Sequence, residues 1–169
     1  GDIELEETVT KQQFPLTPSL LCEVLGISVQ GTKSDRAKPH ERKINEDVYQ
    51  VKGAENSLLL FVNDGMGGAG QAGSGLIASS AAAQYIIDNT ETSDSARPDL
   101  YALVIEGAHN HILTAMENNS DLLGMGTTNV TLRMYADANS PTSASFDRIH
   151  AGDSRHYLST PANGVVQLT

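Results

Sequence analysis

Ser57-Leu-Leu-Leu-Phe-Val-Asn-Asp64-Gly-Met-Gly-Gly-Ala-Gly-Gln-Ala-Gly73, followed directly by Ser74-Gly-Leu-Ile-Ala-Ser-Ser-Ala-Ala-Ala-Gln-Tyr-Ile-Ile-Asp-Asn89, changes its hydrophobic period half-way. The first part is a short apolar run ending in a cluster of glycines, which reads as a strand running into a tight turn. In the second part apolar residues recur three and four apart, which predicts a helix ending near Asn89. Upstream, Asp47 to Val51 and Ser57 to Val62 read as two strands joined by Gly53-Ala-Glu-Asn56, and Leu21 to Gln30 as an earlier strand. Residues 31–43 read as a polar loop. Downstream, a polar loop leads to a second helix at about Asp99 to Glu117. Strand patterns return at 127–135, 143–153, 155–159 and 165–169. Asp137-Ala-Asn-Ser-Pro141 and Pro161-Ala-Asn-Gly164 read as the turns between the later strands.

Strands, then two helices, then strands again predict an α+β fold with largely antiparallel pairing. Residues 1–20, acidic at first and then carrying Pro15 and Pro18, read as an N-terminal arm; 21–169 read as one domain. The sequence stops just after a good strand, so the domain is expected to be incomplete at its C-terminus.

The chain has 169 residues, of which 39% are hydrophobic and 19% charged, a globular mixture long enough for one self-sufficient core. A single cysteine, Cys22, excludes an internal disulfide framework. With no apolar run near the ~18 residues of a membrane span and no signal-peptide pattern, a cytoplasmic protein is expected. The net charge of −10 argues against nucleic-acid and anionic-membrane partners. Five of the 11 basic residues nevertheless fall between Lys33 and Lys43. Such a cluster suits one phosphate group better than a duplex, and its bland alternative is a solvated loop.

Three acidic clusters stand at strand ends or turns. In Arg42-Lys-Ile-Asn-Glu46-Asp47, residues four apart share a strand face, so Arg42 and Glu46 could pair while Asp47 points the other way. Leu58, Leu60, Val62 and Asp64 share one parity, which makes Asp64 the end of an apolar face. A carboxylate buried there needs a cation, and Gly65, Gly67 and Gly68 would let a carbonyl oxygen approach the same ion. Mg²⁺ or Mn²⁺ takes such oxygen ligands; the alternative is a turn in which Asp64 caps backbone N–H groups. Ile149, Ala151 and Asp153 repeat the pattern, with an Asp153–Arg155 pair as the competing explanation.

Other motifs are weaker. Gly68-Ala-Gly70-Gln-Ala-Gly73 is formally GxGxxG, but Asp88 lies at the end of the helix and not on a second parallel strand, as dinucleotide binding requires. His109 and His111 face different directions on a helix, and Cys22 offers them no evident thiolate partner for zinc. Ser154, between Asp153 and His156, makes no triad by adjacency alone.

Taken in order, Arg42-Lys-Ile-Asn-Glu-Asp47, Val62-Asn-Asp-Gly-Met-Gly-Gly68 with Ala78-Ser79, Met125-Gly-Thr-Thr128 and Gly152-Asp-Ser-Arg155 resemble the metal-dependent serine/threonine protein phosphatases of the type 2C family. Met66 resembles the bacterial members. The resemblance implies an α-β-β-α fold, a central antiparallel β-sandwich flanked by helices, with 21–169 as the N-terminal portion of the phosphatase-like domain. It implies two Mn²⁺ or Mg²⁺ ions, with Asp64 bridging them and the Gly65 carbonyl binding one. Glu46 would hold a water of the metal shell, with Asp47 supporting it. Asp153 would help to hold a third, weaker ion, and Arg42 would grip the phosphate of a phosphoserine or phosphothreonine protein substrate. The family's later Ser-Asp-Gly and Asp-Asn segments have no counterpart here. That leaves three expectations: a fragment, a domain completed by a further C-terminal segment or a second chain, or a non-catalytic phosphatase-like binding or regulatory module.

Overall fold

The computed structural model describes residues 7–29, 32–33, 40–41, 44–68, 72–90 and 99–169. In chain order the strands are β1 (Glu7–Thr17), β2 (Leu20–Val29), β3 (Thr32–Lys33), β4 (His40–Glu41), β5 (Asp47–Ala54) and β6 (Ser57–Met66). Helix α1 (Ser74–Asn89) follows, then a wider-wound π-helical segment, Ala102–Gly107, that continues into α2 (Ala108–Glu117). The chain closes with β7 (Gly126–Thr127), β8 (Asn129–Asp137), β9 (Ser140–Ala151), β10 (Tyr157–Thr160) and β11 (Gly164–Gln167). The fold is α+β, and among the described residues every strand pairing is antiparallel.

The central sheet runs β5-β6-β8-β9, with β7 attached to the end of β6. Because side chains alternate along a strand, the sheet has two unlike faces. Leu59 and Phe61 of β6 point to one face and are buried against Ala78, Ala82, Ala83 and Ile86 of α1 and Val104, Ala108 and Ile112 of the second helical stretch. Alanines along α1 bring that helix close to the strands. Lys52 of β5 fastens its far end, its Nζ donating to the carbonyls of Ile87 at 2.7 Å and Thr90 at 3.0 Å. These are C-terminal helix carbonyls that would otherwise lack partners.

The opposite face meets the β1–β2 hairpin. Residues 7–17, read from the sequence as part of an arm, are instead a full strand paired to β2 from Glu7↔Val29 to Thr17↔Leu20. Pro15 is exposed on this outer strand, where a missing N–H is tolerated, and the register shifts between Pro15 and Thr17. Leu16 is fully buried. Tyr49 of β5 anchors the hairpin: its hydroxyl donates to the Gly26 carbonyl at 3.2 Å and lies 3.1 Å from Thr10 Oγ1. A Cβ at Gly26 would overlap the Tyr49 ring. Gly26→Val should therefore lower stability by about 1–3 kcal/mol, read as an earlier urea midpoint with an unchanged slope.

Candidate functional site

At the open end of the central sheet, β5 begins with Asp47 and β6 carries Asp64 two residues before its end. The register pairs Asp47 directly with Asp64, so both project on the same face of adjacent strands, and both are exposed. Asp64 therefore has no burial cost to offset, contrary to the expectation of a buried carboxylate. Val62, one step before it on that face, is itself 47% exposed. Like charges directly opposite each other on a sheet are unfavourable.

Glu46, one residue before β5, is held from three sides. Its carbonyl accepts from Gly65 N–H at 3.1 Å and from the Ser79 hydroxyl at 2.7 Å, tying β5, β6 and α1 at one atom. Its carboxylate accepts from Gly75 N–H at 3.2 Å. Helix α1 has no side-chain cap of its own at Gly73, so Glu46 supplies from another element the negative charge that a helix N-terminus favours. The backbones of Gly65 and Gly75 come so close that a Cβ on Gly65 would collide with the Gly75 carbonyl, and one on Gly75 would lie 2.7 Å from Glu46 Cδ.

The backbone of Asp64 is held by the Thr127-Thr128 pair. Its N–H donates to Thr128 Oγ1 at 3.1 Å, and its carbonyl accepts from Thr128 N–H at 2.9 Å and from the Thr127 hydroxyl at 3.0 Å. Thr128 Oγ1 is in turn 2.6 Å from Ser154 Oγ. Ser154 is thus a structural hydroxyl bound to Thr128. Behind β6, buried Asn63 donates to the Ser79 carbonyl at 3.1 Å and accepts from Asn129 at 2.8 Å.

Asp153 does not continue the apolar face of Ile149 and Ala151. Strand β9 ends at Ala151, Gly152 takes φ +95°, and Asp153 stands exposed in the turn beyond. Arg42 lies outside the described residues, as do residues 69–71 within the GxGxxG stretch. A dinucleotide fold does not arise, because β8, the strand that joins β6 in the sheet after the helices, runs antiparallel to it. His111 packs against Tyr85 of α1, ring centroids 5.7 Å apart. Burial pushes the Cys22 thiol up, away from the thiolate. Among the described residues no three His, Cys, Asp or Glu side chains converge to hold a metal, so Glu46, Asp47, Asp64 and Asp153 do not form one ligand cluster. The sequence alone gives Ser79, Thr127 and Thr128 no role, and Ser154 only that of a nucleophile without a triad. Among the matching segments only Thr127-Thr128, after Gly126, stands out as a hydroxyl pair beside a glycine.

No protein-family model and no curated protein sequence matches the chain. Solved structures do. The Mycobacterium tuberculosis serine/threonine phosphatase PstP/Ppp superposes with a TM-score of 0.56 at 23% identity, covering 98% of this chain and 54% of that one. Over its length the chain shares the fold of this serine/threonine phosphatase structure. The catalytic domain of PstP in complex with two manganese ions gives the same TM-score and identity, with 98% and 55% covered. Stp1 from Staphylococcus aureus, also a serine/threonine phosphatase, gives 0.57 at 17% identity, with 99% and 54% covered. The chain thus spans about half the length of these phosphatases. Among the described residues no helix is long and apolar enough to cross a membrane.

Close after the Asp153 turn, burial lowers the pKa of His156, and the nearby Arg148 and His150 lower it further. A His pKa depressed in the folded state gives stability that is present above the ordinary value of about 6.5 and is lost as pH falls through the folded value. Thermal unfolding followed from pH 7.5 to 5 should show the Tm falling on the acid side, and His156→Gln should flatten that fall.

Proposed function

We propose that the chain works as a metal-dependent protein phosphatase that hydrolyses phosphoserine and phosphothreonine, with residues 21–169, joined by strand β1, forming the N-terminal part of the phosphatase-like domain. One observation carries the reading: Asp47 and Asp64 oppose each other on adjacent strands, at the junction where Glu46, Gly65 and α1 are locked together. The donor set suits a hard divalent cation. Mg²⁺ and Mn²⁺ accept carboxylate, carbonyl and water oxygens, and Mg²⁺ commonly uses only one or two carboxylates and keeps several waters.

In this reading the Asp64 carboxylate and the Gly65 carbonyl would hold the cations. Asp47 and Glu46 support the same shell, and Asp153 contributes to a third, weaker site. When bound, such cations lower the pKa of water and offset the charge of a phosphoryl group. The chain's own part is positioning. Glu46 is fixed through both its carbonyl and its carboxylate, and Thr127 and Thr128 hold the Asp64 backbone on both sides, so neither acid needs to reorganise when a phosphate arrives. Arg42 supplies the cationic grip on the phosphate. A phosphorylated protein is the substrate, the site is cytoplasmic, and a further C-terminal segment or a second chain supplies more carboxylates.

A second reading, a non-catalytic phosphatase-like binding or regulatory module, is favoured by the lack of three converging acidic side chains among the described residues. Hydrolysis of p-nitrophenyl phosphate by the chain separates the two. The phosphatase reading expects turnover with Mn²⁺ that a chelator abolishes. Asp64→Asn should reduce it by about 100-fold or more, while circular dichroism and Tm stay near wild type because the side chain is exposed. A folded chain that binds Mn²⁺ yet turns over neither this substrate nor a phosphopeptide supports the module.

A further inference from the structure

Asp64 receives its backbone hydrogen bonds in an unusual way. Both of its peptide groups are satisfied by one dipeptide, Thr127-Thr128, and two of the three bonds of that clamp run through side-chain hydroxyls and not the strand ladder. A hydroxyl holds a direction only as well as its own partners hold it. The second partner of Thr128 Oγ1 is Ser154 Oγ, 2.6 Å away, which belongs to the turn that carries Asp153. The turn cannot drift from Thr128 without loss of packing: a Cβ at Gly152 would lie 2.7 Å from Thr128 Cγ2, and the φ of +95° there suits glycine alone. A continuous line therefore runs from the Asp64 N–H through Thr128 Oγ1 and Ser154 Oγ to the residue next to Asp153.

We propose that Thr128 and Ser154 are a pair of positioning residues that set the Asp64 backbone by reference to the Asp153 turn, so that a cation at either carboxylate is felt at the other. The proposal deepens the metal-centre reading and rests on it for its consequence, but the hydroxyl line itself exists without metal. Neither residue touches the cation or the phosphate. Each acts through Asp64.

Two measurements separate the proposal from the reading beneath it. The first uses the metal-free chain and follows the exchange of the Asp64 amide by NMR. Ser154→Ala and Thr128→Val should each speed that exchange relative to Leu59, a core strand amide in β6, whereas Thr128→Ser, which keeps the hydroxyl, should restore wild-type protection. An Asp64 amide equally protected in Ser154→Ala and wild type overturns the hydroxyl line. The second titrates Mn²⁺ by calorimetry. Thr128→Val should weaken binding roughly 10-fold to 100-fold, as loss of partners behind a ligand does. Ser154→Ala should weaken it less, and the double variant should be no worse than Thr128→Val because the two act on one line. Additive losses, or unchanged affinity in Thr128→Val, overturn the coupling. A wild-type chain that binds no Mn²⁺ while the exchange results hold overturns the metal consequence and leaves the positioning of Asp64 standing.

Discussion

The closeness of Gly65 on β6 to Gly75 on α1 governs this end of the molecule. A side chain on either residue would meet the other's backbone or Glu46, so the two elements approach to a distance that only glycines allow. Once they are that close, the Glu46 carbonyl can reach Gly65 N–H and Ser79 Oγ together, and its carboxylate can reach the first turn of the helix. Those bonds fix where β5 begins. The start of β5 fixes the register that puts Asp47 opposite Asp64. A wider spacing between helix and sheet would leave the same residues in the sequence but not the same site.

The remainder of the fold supports that junction from two sides. Under the sheet, Leu59 and Phe61 bury against α1 and the second helical stretch, and buried Asn63 is satisfied by Ser79 and Asn129, so its polarity fixes the helix along the strand without an orphaned group. On the other face the hairpin docks through Tyr49 and leaves Val62 and the acidic edge open. The site is thus made of strand ends and turns carried on a packed scaffold, the usual division between rigid framework and chemistry-bearing connections.

Much of this was legible in the sequence, for reasons that differ by element. The change of period after Asp64 located β6 and α1, whose apolar positions are buried, and the alternating stretches after Thr127 located β8 to β11, although β10 and β11 are almost wholly exposed. The first strand was not legible: Gln12, Gln13, Pro15 and Pro18 carry loop signals, and only its pairing with β2 and the burial of Leu16 make it a strand. Parity misled at Asp64 and Asp153. It correctly placed Asp64 on the face of Leu58, but burial on that face fades toward the strand end, and a turn at Gly152 takes Asp153 out of its strand altogether. The acids of the site could be guessed from their neighbours. The hydroxyls that position them could not, since Thr128 and Ser154 lie 26 residues apart and meet only through the geometry of the sheet.

Everything proposed for the site depends on the opposed carboxylates near the ends of β5 and β6 holding a divalent cation. Crystals of the chain grown with Mn²⁺ test it most directly, through an anomalous difference map collected at the manganese edge. A peak is expected within coordination distance of the Asp47 and Asp64 carboxylates. An ordered site with no peak there, or manganese found only elsewhere on the surface, would contradict it.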